Sequence, residues 1–290
     1  MAKKQKDINK SAEIKLLISR IVVYAILIFL SFLCLFFFYL MIINASRSNQ
    51  QLQSGFTLLP GGNFFTNLVN AWNDSDINIP VGMKNSFIVA LFSSLLSVYF
   101  SALTAYGTYV YDFKFKNAVH VFILAIMMIP SQVGAVGFVQ LAFRYNLTNK
   151  LWLLIIPSIS APACYFYMRQ YLQATLPLDM VEAARIDGSN EFKIFNEIVL
   201  PIMKPAIAVQ MIFSFVGSWN NYFMPSILLN KPDVKTVPVM IATLRSADYA
   251  KFDMGKVYML MLLAILPVMV MYIILSKSII KGVTSGSVKG

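Results

Sequence analysis

An all-helical protein that crosses a lipid bilayer six times is predicted by three features of this 290-residue chain. Its residues are 58% hydrophobic, only 13% are charged, and the apolar ones gather into six uncharged runs. Soluble domains carry roughly 25% charged residues, so a water-facing surface cannot be built from what is left here. A membrane-crossing helix needs about 20 mostly apolar residues. Runs near that length occur at Ile21 to Ile43, Ser86 to Tyr111, Ala118 to Val139, Leu151 to Met168, Pro205 to Asn230 and Val257 to Ser276. The first is too long for the apolar part of a cleaved signal and has no convincing A-x-A site, so it reads as a retained anchor after a basic segment at 1–20. Pro130, Pro157 and Pro162 interrupt the third and fourth, which membrane helices tolerate where neighbours satisfy the freed backbone groups. Residues 21–290 then form one transmembrane domain.

Six crossings place both termini on one side, and the basic residues say which. Fifteen of the 24 Lys and Arg fall with the termini, nine on the other side, and the two sides are almost equally long. Both termini are therefore expected in the cytoplasm. The formal charge of +11 is accounted for by topology, and no nucleic-acid partner is needed to explain it. Cys34 and Cys164 both lie within apolar runs, which excludes a disulfide framework or a cysteine-ligated metal as an organising feature.

Two segments have readable faces. In the second run, Ser93, Ser97, Ser101 and Ala105 recur every fourth residue and form a stripe of small side chains that another helix can approach closely, within the chain or across a subunit boundary. Between the fourth and fifth runs, Arg169 to Lys204 is the longest cytoplasmic segment. Asp179 with Glu182 resembles a capping pair, Gly188 offers a left-handed stop, and Ser189 can cap a second helix over Asn190 to Val199, ended by Leu200-Pro201. A helix, a turn and a second helix are expected, lying parallel to the membrane. Val181, Ala184, Ile186, Phe192, Phe195 and Ile198 supply apolar contacts, and Ala183 and Ala184 admit a close backbone. Such a hairpin either docks into a groove on another protein or covers the ends of its own bundle.

Glu182-Ala183-Ala184, Asp187-Gly188, Ile198, Leu200-Pro201 and Pro205-Ala206 resemble the EAA loop of the permease subunits of binding-protein-dependent ABC importers. The resemblance extends over most of the chain, through Asn85-Ser86, Met128-Ile129-Pro130, Trp219-Asn220 and the tail from Lys281-Gly282 to Lys289-Gly290. It is nearest the smaller, six-span permease of the maltose-type carbohydrate branch. It implies that the loop, about 176–205, seats in a cleft of a separate ATPase through Glu182, Ala183, Ala184, Asp187, Gly188, Phe192, Phe195, Leu200 and Pro201. It also implies a second homologous permease, two ATPase subunits that hold ATP and magnesium, a solute-binding protein outside, and a bacterial cytoplasmic membrane as location. No cofactor is expected in this chain. It contains no G-x-x-x-x-G-K-[ST] phosphate loop, so the energy must come from the partner.

Chemistry within the membrane is not expected. The six runs hold no Asp, Glu, Lys or Arg, and His120 is the one histidine, which argues against an intramembrane enzyme and against ion-coupled transport. Pro130 with Gly134 and Gly137 could still mark the broken helix of an autonomous carrier. Neutral polar groups remain: Gln132, Gln140, Gln210, Ser214, Ser218, Asn220 and Asn221, beside Trp219, Tyr222 and Phe223. Amides and aromatic faces suit a hydroxyl-rich solute, and equally they can glue helices together. From these, Gln132, Gln210, Ser214, Trp219, Asn220, Asn221 and Tyr222 are the expected path residues for a disaccharide or oligosaccharide. A polyol or glycerol phosphate is the alternative cargo. In related permeases the outer loop Lys231 to Lys256 reaches the binding protein, which here singles out Arg245, Asp248 and Lys251.

Overall fold

The computed structural model describes the backbone of residues 2–74, 77–245 and 253–286, with the side chains of all of these except 2–14, 131, 245 and 277–286. Every regular element among the described residues is helical: α1 (Ala2–Ala45), α2 (Asn49–Gln53), α3 (Phe64–Trp72), α4 (Ile79–Val110), α5 (Lys116–Ile126), α6 (Ser131–Arg144), α7 (Trp152–Ile155), α8 (Pro162–Thr175), α9 (Leu178–Ile186), α10 (Glu191–Lys193), α11 (Leu200–Ile202), α12 (Lys204–Trp219), α13 (Phe223–Leu228), α14 (Val237–Arg245) and α15 (Met254–Gly286). Three of them are unbroken and apolar enough to cross a membrane, over Lys15–Ala45, Ile79–Val110 and Met254–Ser276. They contain the first and sixth predicted runs and all of the second except Tyr111.

The other three runs are assembled from pieces, and proline marks the break in the third and fourth. The third is α5 and α6, parted at Pro130, whose φ of −57° and ψ of 128° turn the chain out of the helix. The fourth was expected from Leu151; its long helix starts only at Pro162, which occupies the first helical position where a missing N–H costs nothing, and runs past Arg169 to Thr175. The fifth was read as one helix over Pro205 to Asn230. It is α12 and α13, separated at Asn220 to Tyr222.

The chain forms two compact units, residues 1–71 with 253–262, and residues 72–252 with 263–290. In the first, the segment after α1 closes on itself. Buried Arg47 donates to the carbonyls of Gln51 and Gly55, and Asn67 Nδ2 donates to those of Ala45 (2.8 Å) and Arg47 (2.9 Å). No carboxylate pairs with Arg47 among the described residues, and a buried guanidinium is then stable only if its donors find oxygens, which backbone carbonyls supply here. Gly255 lies so close to the Arg47 carbonyl that a Cβ would stand 2.6 Å from it.

In the second unit α4 is the central helix. The stripe Ser93, Ser97, Ser101 and Ala105 is buried and packs within the chain: Ser97 meets Ser214 of α12 at 3.3 Å, and Ser101 donates to the Ala161 carbonyl at the start of α8 (3.3 Å). Near the N-terminal end of α4, Asn85 Nδ2 donates to the carbonyls of Asp233 and Lys235, while Ser86 Oγ accepts the Val237 N–H. Met240 of α14 rests directly on Gly82, where any side chain would collide with it. The Asn85-Ser86 pair is thus a clamp on the loop leading into α14. Around the C-terminal half of α4, Val98, Ala102, Ala105 and Tyr106 form one core with Cys164, Tyr165, Met168 and Leu172 of α8.

Candidate docking hairpin and translocation path

The hairpin begins where Leu176 takes the extended conformation required before Pro177, which stops α8 and starts α9. Pro177, and not Asp179, occupies the capping position; Asp179 lies inside the first turn, where its charge favours the helix dipole. The turn is as the sequence predicts. Gly188 has φ of +78°, the Gly188 N–H donates to the Arg185 carbonyl and the Ser189 N–H to the Ala184 carbonyl, both at 3.0 Å. That pattern is the Schellman stop, which needs a residue free to take positive φ. The second helix is capped by Asn190, whose side chain accepts the Lys193 N–H at 2.8 Å, one residue later than expected at Ser189.

Leu200-Pro201 does not end this second helix. Its turns widen over Ile194–Val199, with the Leu200 N–H reaching back to Phe195, and the helix then continues through α11. Proline has no N–H to give and its ring crowds the carbonyl four residues back, and a widened turn relieves both. At Met203 the chain bends by 82° into α12.

The two sides of the hairpin do different things. Val181 is fully buried, Ala184 7% exposed, and Ile194, Phe195 and Val199 lie in the core around α4 and α8. Ala184 and Phe195, expected on the docking side, instead root the hairpin in its own bundle: a small residue sits where α9 meets the core, and the Phe195 ring lies edge-on to Tyr99 at 5.6 Å and close to Tyr106 at 5.5 Å. Leu200 is also packed against this core. The outward side carries Glu182, Ala183, Asp187, Gly188, Phe192 and Pro201, all exposed, and adds Ile186, which is 86% exposed beside Phe192 at 71%.

One polar cluster ties the hairpin together, and nothing in the sequence pattern pointed to it. Glu191 accepts from Arg185 of α9 (2.7 Å) and from the Tyr106 hydroxyl of α4 (2.7 Å), and the Arg185 guanidinium lies over the Tyr111 ring. The Arg185 hydrogen bond, helped by Tyr111 and Tyr106, holds the Glu191 carboxyl down to about 2 from 4.5, against the opposing effect of burial. A depressed acid stabilises the fold above its ordinary value, and the contribution disappears as pH falls through the folded value. Amide-exchange protection of residues 185–195 should therefore hold from neutral pH to about 4.5 and fall from there toward about 2, and Glu191→Gln should show reduced protection already at pH 7 with a flat acid response.

The expected path residues divide as well. Gln210 is buried, and Ser214 is half-buried against Ser97. Trp219 is 3% exposed, stacks on Phe215 and donates its indole N–H to the Ala264 carbonyl at 3.0 Å. The indole thus fastens α12 to α15 three residues before Pro267. Trp219 is therefore a packing residue. Asn220, Asn221 and Tyr222 are exposed at the break between α12 and α13, and Gln132 is exposed in the first turn of α6 after the Pro130 break. Tyr222 borders a hollow of about 210 Å³ with Ser226, Asn230, Lys235 and Thr243. A second hollow of about 480 Å³ between α6, α7 and α13 is lined almost wholly by apolar groups, among them Gly134, Phe138, Pro157 and Met224. Arg245 closes α14; Asp248 and Lys251 lie outside the described residues.

Residues 97–281 match the family described as binding-protein-dependent transport system inner membrane component. The chain is 37% identical over 209 residues to the arabinooligosaccharides transport system permease protein AraQ of Bacillus subtilis (strain 168), covering 71% of this chain and 72% of that protein. It is 28% identical to the sn-glycerol-3-phosphate transport system permease protein UgpE of Yersinia pestis bv. Antiqua (strain Antiqua), over 86% of this chain and 90% of that one. The fold matches a chain in the crystal structure of a bacterial ABC transporter involved in the import of the acidic polysaccharide alginate, with a TM-score of 0.77 at 19% identity, covering 90% of this chain and 96% of that chain. A family match across more than half of the chain, on a helical fold, leaves one assignment: this chain belongs to the inner-membrane permease family of binding-protein-dependent ABC transport systems.

Proposed function

We propose that this chain is half of the translocation path of an ATP-driven sugar importer, and that it couples to a separate ATPase through the hairpin. In this reading the chain crosses the bacterial cytoplasmic membrane six times with both termini inside, the broken helices α5–α6, α7–α8 and α12–α13 serving as the third, fourth and fifth crossings. It pairs with a second permease, two ATPase subunits and an outer binding protein, met by the loop that carries Arg245, Asp248 and Lys251. The carrying observation is the two-sided hairpin. One side is rooted in the α4–α8 core, while Glu182, Ala183, Ile186, Asp187 and Phe192 are exposed, with no core around them among the described residues. Two apolar anchors flanked by carboxylates and a close-approach alanine are what a helix offers to a groove on a partner.

The helix break at Asn220 to Tyr222 supports the path assignment, since interrupted membrane helices present side-chain and backbone polar groups where a solute passes. Gln132, Gln210, Ser214, Asn220, Asn221 and Tyr222 are all neutral, which favours a hydroxyl-rich cargo such as a disaccharide or oligosaccharide. Lys235 beside Tyr222, with the likeness to a glycerol-3-phosphate permease, favours an anionic cargo such as glycerol phosphate. Uptake by the reconstituted transporter across a panel of sugars and glycerol phosphate separates the two. Asn220→Ala is expected to raise the KM for a sugar by several-fold to about tenfold, the worth of one hydrogen bond, with assembly intact. Unchanged kinetics on every solute would remove Asn220 from the path, and uptake of glycerol phosphate alone, lost in Lys235→Gln, would replace the sugar reading.

A further inference from the structure

Arg169 on α8 is a cation with too few partners. Its Nη1 approaches His120 Nε2 of α5 at 3.5 Å, the outer limit of a hydrogen bond, and its Nε is buried with no hydrogen-bond partner among the described residues. Among the described residues no carboxylate lies within ion-pair distance of it. A guanidinium in that position is costly unless an anion completes it.

His120 cannot be that anion, and the hydrogen bonds around it show what it does instead. The Thr108 hydroxyl donates to the Thr104 carbonyl (2.9 Å), so it accepts from the Tyr165 hydroxyl (3.1 Å), which in turn accepts from His120 Nδ1 (3.0 Å). The chain of donors places the imidazole proton on Nδ1 and leaves the Nε2 lone pair toward Arg169. The relay thus orients the guanidinium without neutralising it. One turn before His120 on α5, Lys116 adds a second positive charge, its Nζ spending one donor on the Tyr109 carbonyl at 3.0 Å. Phe115, at the cap of α5, and Val119 and Phe122 within it are exposed apolar side chains.

We propose that Arg169 and Lys116 hold the phosphate of an anionic phospholipid headgroup, with the acyl chains lying along the exposed apolar side of α5. A phosphate offers the several acceptor oxygens that a guanidinium fork and an ammonium can share. Basic niches between membrane helices on the cytoplasmic side are where such headgroups lodge, and the orientation proposed above puts this end of α4, α5 and α8 in the inner leaflet.

The test uses the whole transporter, this chain with its partner subunits, in nanodiscs of equimolar phosphatidylcholine and phosphatidylglycerol, with bound lipid counted by native mass spectrometry. No cargo is present, so the result is independent of the sugar reading. The wild type should retain phosphatidylglycerol in preference to phosphatidylcholine, and Arg169→Gln should lower that retention about tenfold, the worth of one charge-assisted contact. Lys116→Gln should lower it by less, and this variant decides the matter if Arg169→Gln does not assemble. Added inorganic phosphate should not release the lipid. Equal retention in the wild type and the variants overturns the proposal; displacement by inorganic phosphate does so too, and would assign the niche to the free ion.

Discussion

Replacing Gly188 by valine is expected to abolish ATP-driven uptake and release the ATPase, while the protein stays inserted in the membrane. A Cβ at this position meets nothing within 4 Å, so the cost is purely one of backbone conformation at φ of +78°. For an L-residue that conformation is unfavourable by roughly 1–2 kcal/mol, and more for a β-branched side chain. The strain falls on the two bonds that set the hairpin angle, from Gly188 to Arg185 and from Ser189 to Ala184. Once they open, Ile186 and Phe192 no longer share a side. Gly188→Asn, which tolerates the left-handed region, should keep most of the coupling. Co-purification of the ATPase and uptake by vesicles are the readouts. If the valine variant keeps both, the hairpin is a cover for the bundle and not a coupling element.

The second large effect concerns two phenylalanines three residues apart. Phe195→Ala removes a fully buried ring from the contact with Tyr99 and Tyr106 and should destabilise the protein by about 3–5 kcal/mol, seen as a lowered melting transition and loss of assembly. Phe192→Ala should leave the melting transition unchanged, because its ring is 71% exposed, and should weaken ATPase binding instead. Equal destabilisation by both changes would contradict a hairpin with one rooted and one free side.

Which parts of this were legible in the sequence follows from the range of the interactions involved. The left-handed stop at Gly188 and the close-packing stripe from Ser93 to Ala105 were readable, since each depends on residues within one or two helical turns. The assignments that failed are of two kinds. Asp179 and Ser189 lost the capping positions to Pro177 and Asn190, and Leu200-Pro201 was absorbed by a widened turn, because several local solutions compete and the neighbouring packing selects among them. Ala184 and Phe195, expected at the docking surface, and Trp219, expected along the path, are all buried: residue type does not say which of two apolar sides faces the protein's own core.

Composition and pattern determined a helical membrane protein with a helix–turn–helix segment after the fourth apolar run, and the resemblance carried by Glu182-Ala183-Ala184 and Gly188 marked that segment as an EAA loop. Apolar run length, charge placement and local turn chemistry are short-range properties, written in consecutive residues. Only the tertiary structure decided which face of the hairpin is free, and that Arg185, Glu191 and Tyr106 lash it to α4. It alone brought Arg169 to His120 across a separation of 49 positions, and Asn85 to the carbonyls of Asp233 and Lys235 across about 150. Such contacts depend on how helices far apart in sequence pack side by side, which no local pattern specifies.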